Sequence, residues 1–274
     1  MNVQLHEIVK PLLQWYDAHA RILPWRSRPT PYRVWVSEIM LQQTRVETVL
    51  PYFEQFVAAL PDVHALARAD ADLLLKLWEG LGYYSRVRNL QKAARVVTAQ
   101  YGGVLPDEFD ALCGLPGLGA YSAGAVASIA FGRRVPAVDG NVLRVIARVT
   151  ADRAPITDAA VKKRITQAVT GILPTARVGD FNQSLMELGA TVCLPNGVPK
   201  CGECPLAALC MAREQGLCTL LPVKAPKKAR SVEYRTVLVL MCGERLAVRR
   251  RGGKGLLAGM WELPSLDGVL SPDA

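Results

Sequence analysis

The chain has 274 residues, half of them hydrophobic and 21% charged, which is ordinary globular composition with neither an internal repeat nor a low-complexity tract. Its 33 Lys and Arg against 24 Asp and Glu leave a formal net charge of +9, a balance that suits a polyanionic partner. At ~150 residues per domain the length predicts one or two domains and a proper buried core.

No signal peptide is expected, because residues 1–14 carry Glu7 and Lys10 and no sustained apolar run. Apolar residues at three- and four-residue spacing then predict helices over 5–19, 32–43, 47–59, 70–78, 87–101, 107–112, 120–131, 142–149, 158–173 and 180–191. Pro29, Pro31, Pro61-Asp62, Gly80-Leu81-Gly82 and Gly102-Gly103 punctuate the joins. Residues 111–132 hold no charge, but Pro116 and its neighbouring glycines break the run, leaving a helix of about three turns, too short to span a bilayer. A soluble intracellular protein is expected, and its seven cysteines then argue for ligands rather than disulfides.

Composition changes at residues 221–230, where two prolines and four cations make an extended basic linker. Beyond it, 232–240 and 245–249 read as strands, with a turn at Cys242-Gly243-Glu244. About forty residues are too few for an independent α/β core.

Three groups of residues carry chemistry. In Leu115-Pro116-Gly117-Leu118-Gly119-Ala120-Tyr121, Gly117 and Gly119 allow a sharp turn and a close ligand approach, and the following helix aims free N–H groups at that turn, a seat for phosphate. Cys193, Cys201, Cys204 and Cys210 follow a C-x7-C-x2-C-x5-C spacing that suits a 4Fe–4S cluster, a structural zinc being the alternative. Cys218 is a less favoured substitute for Cys210, and Cys113 and Cys242 read as buried apolar residues. Finally, Glu38 lies in a helix apolar on nearly every side, with no cation three or four residues away. A carboxyl held in that setting has a raised pKa and suits general-acid work, unless the helix leaves it on the surface. Asp139 precedes Gly140-Asn141 and a new helix, so it reads as an N-cap and equally as a second carboxylate aimed at a cleft.

Together the hairpin, Val135-Pro136-Ala137-Val138-Asp139-Gly140-Asn141, Trp35-Val36-Ser37-Glu38-Ile39-Met40-Leu41-Gln42-Gln43-Thr44 and the spaced cysteines resemble the helix-hairpin-helix DNA glycosylases, most closely the MutY-type adenine DNA glycosylases. The resemblance covers residues 5–222 and, more loosely, 232–264. It implies a mainly α fold: a six-helix domain over 26–134 carrying the hairpin and Glu38, and a cluster domain from 1–25 with 135–221. Residues 222–231 would be the linker, and 232–274 the opening of a small α/β Nudix-like domain, cut short and without the acidic helix of Nudix hydrolases.

The activity implied is monofunctional excision of adenine opposite 8-oxoguanine or guanine in double-stranded DNA, leaving an abasic site, by a monomer in a bacterial-type cytoplasm. Glu38 would protonate adenine at N7, Asp139 would stabilise the cationic sugar, and Asn141 would orient the Glu or the water. Relatives that cut the strand carry a Lys where this chain has Tyr121, so no Schiff-base lyase step is expected. Gln43 and Tyr83 would fill the vacated stack and touch the opposing base, with Leu41, Thr44 and Leu81 beside them, while Arg26 and Gln183 would line the adenine pocket. The four cysteines would hold the 4Fe–4S cluster, one residue being inserted before Cys201 relative to the family spacing. A thymine or uracil mismatch glycosylase, a non-catalytic lesion binder and an iron–sulfur redox module are the rival readings.

Overall fold

The computed structural model describes residues 5–225, 230–252, 257 and 259–271. The chain forms two units, divided at 225/226. The first is helical: after a 3₁₀ turn at Leu5–Ile8 come α1 (Val9–His19), α2 (Pro24–Ser27), α3 (Pro31–Leu41), α4 (Val46–Ala59), α5 (Val63–Arg68), α6 (Ala71–Lys76), α7 (Ser85–Tyr101), α8 (Phe109–Cys113), α9 (Ala120–Phe131), α10 (Gly140–Val149), α11 (Ala159–Ile172), α12 (Val178–Thr191), a 3₁₀ turn at Cys201–Glu203 and α13 (Met211–Glu214).

Local chemistry sets many of these ends. Thr30, Asp62, Asp70, Asp139 and Asp158 each cap a helix by accepting a backbone N–H through the side chain, which satisfies donors that the first turn leaves orphaned. Pro31 occupies the first turn of α3, where its missing N–H costs nothing. The predicted long helices are all present, whereas the short α2, α5 and α13 have too few turns for their periodicity to stand out in the sequence. The uncharged run at 111–132 is split between α8 and α9, and no helix among the described residues is long and apolar enough to cross a membrane.

Two hydrophobic cores lie within this unit. One gathers residues from α2 to α9, with Trp35, Phe53, Phe56 and Trp78 fully buried. The other gathers α1, α10, α11 and α12, around Leu12, Ile146, Val169 and Phe181. Helix α9 runs between close neighbours: a Cβ at Gly124 would sit 2.1 Å from the Pro136 carbonyl oxygen. Asn182 of α12 donates to Ser128 Oγ (2.8 Å) and the Val135 carbonyl (2.9 Å) and accepts from the Ala137 N–H (3.2 Å). That amide, with both N–H donors and its oxygen engaged, fixes the segment leading to Asp139.

The second unit holds strand pairs. β1 (Arg235–Val237) pairs antiparallel with β6 (Ser265–Asp267), Thr236 opposite Leu266; β2 (Met241–Cys242) pairs with β3 (Arg245–Leu246); and β4 (Arg249–Arg250) pairs with β5 (Trp261–Glu262). The predicted turn at 242–244 is the β2–β3 hairpin, but only three residues of the predicted 232–240 strand pair regularly. Cys242, expected to be buried, is exposed on that hairpin. The predicted linker falls in part on 226–229, and the Gly-rich stretch after Arg251 in part on 253–256 and 258, both outside the described residues.

Candidate active site

Helices α3, α9, α10 and α12 meet around an open cleft lined by Glu38, Tyr121, Asp139, Asn141, Arg26, Gln183, Leu41 and Thr44 among others. Glu38, from the last turns of α3, is 6% exposed. Burial pushes its carboxyl up to about 7; a hydrogen bond from Tyr121 and the charge of Arg26 oppose the rise, and Asp139 adds to it. The helix is therefore not a surface helix at this point. Tyr121, in the first turn of α9, donates its hydroxyl to Glu38 Oε2 at 2.8 Å, with Met186 Sδ 3.2 Å away. Burial raises the phenol well above its ordinary range, so it stays a neutral donor.

Asp139 fills both of its sequence roles geometrically: it caps α10 and lines the cleft. Its Oδ1 accepts the Val142 N–H at 2.8 Å, and its Oδ2 accepts from Asn141 Nδ2 at 2.6 Å. Burial raises its pKa, and the bonds from Val142 and Asn141 pull against that rise. Asn141 was expected to orient the Glu or the water; it bonds instead to Asp139, two residues back on the same helix entry turn. Asn141 Oδ1 in turn accepts from Arg144 Nη2 (2.7 Å), whose guanidinium also donates to the backbone carbonyls of Gly189 and Cys193 at 2.8 Å. The approach of α12 is close here, since a Cβ on Gly189 would lie 2.5 Å from Asn141 Cβ.

One wall of the cleft was not picked out from the sequence. Glu187, 1% exposed on α12, receives Arg21 Nε (2.6 Å), Arg21 Nη2 (3.0 Å) and Arg26 Nη2 (2.9 Å). Burial alone would raise its pKa, but these two guanidinium groups outweigh it and hold the carboxylate below its ordinary range. Arg26 Nε also donates to Gln183 Oε1 at 3.0 Å, so the two predicted pocket residues touch directly. Glu187 sits one helical turn from Gln183, and that i,i+4 spacing on a predicted helix was the available signal.

Three of the remaining candidates share a second surface. Gln43, Tyr83 and Gly117 line one cavity with Gln42, Arg86 and Asn89. Gln43 and Tyr83 are exposed and both take positive φ, 59° and 48°. Gly117 takes φ 82° with its missing Cβ 2.8 Å from Asn89 Cβ, so glycine is required there on two counts. Gly119 differs from expectation: it caps α9 in extended backbone, with open space where a Cβ would stand. Leu81, expected beside Tyr83, is instead 5% exposed within the first core. Thr44 and Leu41 line the cleft itself.

Cys193, Cys201, Cys204 and Cys210 line a single apolar-walled cavity together with Cys218, Arg148 and Lys200. Arg148 Nη1 lies 3.3 Å from Cys193 Sγ, and Cys218 Sγ lies 3.8 Å from Cys201 Sγ, so the fifth thiol belongs to this neighbourhood. Among the described residues no three His, Cys, Asp or Glu side chains converge on a point that a single ion would fill. Four thiolates facing one cavity are a donor set of the kind that takes one thiolate per iron.

Residues 36–170 match the HhH-GPD superfamily base excision DNA repair protein family. The adenine DNA glycosylase of Homo sapiens is 39% identical over 309 aligned positions, which cover 93% of this chain and 56% of that protein. Its counterpart in Buchnera aphidicola subsp. Schizaphis graminum (strain Sg) is 33% identical over 257 positions, covering 93% of this chain and 74% of that one. Among solved structures, a thermostable thymine-DNA glycosylase superposes with a TM-score of 0.68 at 28% identity, covering 77% of this chain and 98% of the other. The chain thus spans little more than half the length of the human protein and about three quarters of the Buchnera one. Identity of one third sustained over most of both chains, with the superfamily match at its centre, makes this protein a member of the adenine DNA glycosylase family of HhH-GPD base excision repair proteins.

Proposed function

We propose that the chain hydrolyses the N-glycosidic bond of adenine mispaired with 8-oxoguanine or guanine in double-stranded DNA and leaves an abasic site. The observation that carries this reading is Glu38, buried in the cleft with its carboxyl raised to about 7 and turned toward Tyr121 in the same cavity as Asp139. A carboxyl poised near neutrality is half protonated there and can deliver its proton to N7 of an extruded adenine. Loss of the base leaves positive charge on the sugar, which the Asp139 carboxylate stabilises until water adds. Two bonds from Val142 and Asn141 hold that carboxylate in place.

Gln183 and Arg26 form the base pocket. The Gln183 carbonyl oxygen keeps one lone pair beyond the Arg26 bond, which suits the N6 amine of adenine. Gln43 and Tyr83 enter the duplex at the vacated position, and the Gly117–Gly119 turn at the start of α9 receives a backbone phosphate. Tyr121 carries no amine, so no Schiff base forms and the strand is not cut by this protein. Cys193, Cys201, Cys204 and Cys210 hold a 4Fe–4S cluster, a reading supported by their spacing and shared cavity. When bound, that group supplies a fixed scaffold for the loop between α12 and α13. The unit from Arg235 to Asp267 is read as the opening of a Nudix-like domain, on its antiparallel strand pairs, and the protein as a monomer acting in a bacterial-type cytoplasm.

Single-turnover base release tests this on duplexes with adenine opposite 8-oxoguanine, adenine opposite guanine, and thymine opposite guanine. Strand breaks at adenine alone, visible only after alkali and with no borohydride-trapped complex, are expected. Release of thymine, or breaks without alkali, would overturn the reading.

A further inference from the structure

Arg86 occupies the second position of α7 and is 8% exposed, a guanidinium taken almost wholly out of water. Its acceptors among the described residues are backbone carbonyls and one hydroxyl. Nη1 donates to the carbonyls of Ile39 (3.2 Å), Met40 (2.8 Å) and Gln42, and Nη2 to those of Leu81 (3.0 Å) and Gly82 (3.2 Å) and to Thr44 Oγ1 (3.2 Å). The first set is the open C-terminal end of α3, where orphan carbonyls and the negative end of the helix dipole favour a cation. In the second, the Leu81 and Gly82 carbonyls belong to the loop before α7, and Thr44 to the loop after α3. The guanidinium also lies over the Trp78 ring at 5.3 Å and the Tyr83 ring at 5.6 Å.

The two loops share a further property. Gln43 and Tyr83 are held at φ 59° and 48°, a left-handed backbone that is strained for a non-glycine residue and persists only under restraint. Arg86 binds the Gln42 carbonyl and the Gly82 carbonyl, each belonging to the peptide unit immediately before one of these strained residues. We propose that Arg86 is a positioning residue that locks the 42–44 and 81–83 loops into one wedge, so that Gln43 and Tyr83 enter the duplex as a unit. The inference rests on the reading above, in which the chain extrudes a base. It places the residue's effect on extrusion and on recognition of the opposing base rather than on bond cleavage. Only a planar fork reaches both loops at once; a lysine ammonium serves one of them.

The test uses Arg86→Lys and Arg86→Ala in the full chain, with thermal melting to identify folded variants; if Arg86→Ala does not fold, Arg86→Lys decides. Backbone amide hydrogen exchange without DNA is expected to speed up in both loops together, by about tenfold, while the α3 and α9 interiors keep their protection. Single-turnover release of adenine opposite 8-oxoguanine should fall at least tenfold and its preference over guanine should shrink. Release from a duplex with the adenine opposite an abasic gap, where it is already unstacked, should stay within about threefold of wild type. Faster exchange confined to 81–83, or equal rate losses on all three duplexes, would overturn the proposal. A wild-type protein silent on every duplex would defeat the functional reading, and the exchange arm would still decide the coupling.

Discussion

The Tyr121 hydroxyl reaches Glu38 Oε2 across 2.8 Å, joining residues 83 positions apart in the chain. The bond sets a direction for the acid. Burial raises the Glu38 carboxyl to about 7, and the tyrosine hydrogen bond, which stabilises the anion, works against that rise. If protonated Glu38 drives base release, the single-turnover rate is level below about pH 7 and falls about tenfold per unit above it. Tyr121→Phe removes a donor to the anion and should move the falling limb to higher pH. A pH–rate profile of both proteins checks the shift, and movement to lower pH would contradict this account of the pair.

The same carboxyl predicts a stability effect. Its folded-state pKa of about 7 exceeds the ordinary 4.5, so the favourable neutral form contributes fully below about pH 4.5. That contribution is lost as pH rises through about 7. A displacement of this size corresponds to roughly 3 kcal/mol. Glu38→Gln, which keeps the shape without the charge, should therefore gain stability over wild type at pH 8 and little at pH 4. Denaturant melts at the two pH values measure the difference. The same variant should lose about 10²–10⁴-fold in base release while still binding the mismatched duplex, as gel-shift titration would show.

Asp139 both caps α10 and faces the cleft, and two substitutions separate the roles. Asparagine is as good an N-cap as aspartate, so Asp139→Asn should melt within about 1 kcal/mol of wild type yet lose at least 10²-fold in base release. Asp139→Ala should lose the same activity and a further ~1 kcal/mol of stability, because the Val142 N–H is left unmet. Equal activity in the Asn variant would reduce Asp139 to a cap.

Cys204→Ser should lower iron content and the visible absorbance of the purified protein, and should loosen the 193–218 loop to protease. Cys218→Ser should leave the iron content near that of wild type although its thiol lies 3.8 Å from Cys201 Sγ. Stoichiometric zinc in place of iron would refute the cluster.

The helices and the cleft were legible to different depths. Long helices announce themselves by apolar spacing and by capping residues such as Asp158, which acts through the neighbour two positions away. Glu38, Tyr121 and Asp139 were recognisable as motif members, and the structure brings them to one cavity. What the sequence could not convey was pairing at long range. Glu187 looks like any helical glutamate until Arg21 and Arg26, more than 160 residues earlier, close on it. Asn141 was expected to orient Glu38 or the water, and its bond to Asp139 was not foreseen because it depends on a side-chain rotamer and on Arg144 behind it. Leu81 lies beside an exposed tyrosine in sequence, but the turn at Gly80 and Gly82 sends it inward.

The two hydrogen bonds on Asp139 have a consequence for the cost of the proposed reaction. A carboxylate in water must reorient its solvent shell as a cation forms beside it, and that reorganisation adds to the barrier. Here Val142 and Asn141 already point their donors at the oxygens, and Arg144 keeps Asn141 turned that way. The orientation is settled when α10 forms, before any DNA arrives. Folding free energy, rather than substrate binding, thus arranges the polar surroundings of the charge, so a loosened α10 would slow the chemistry even with every site residue still in place.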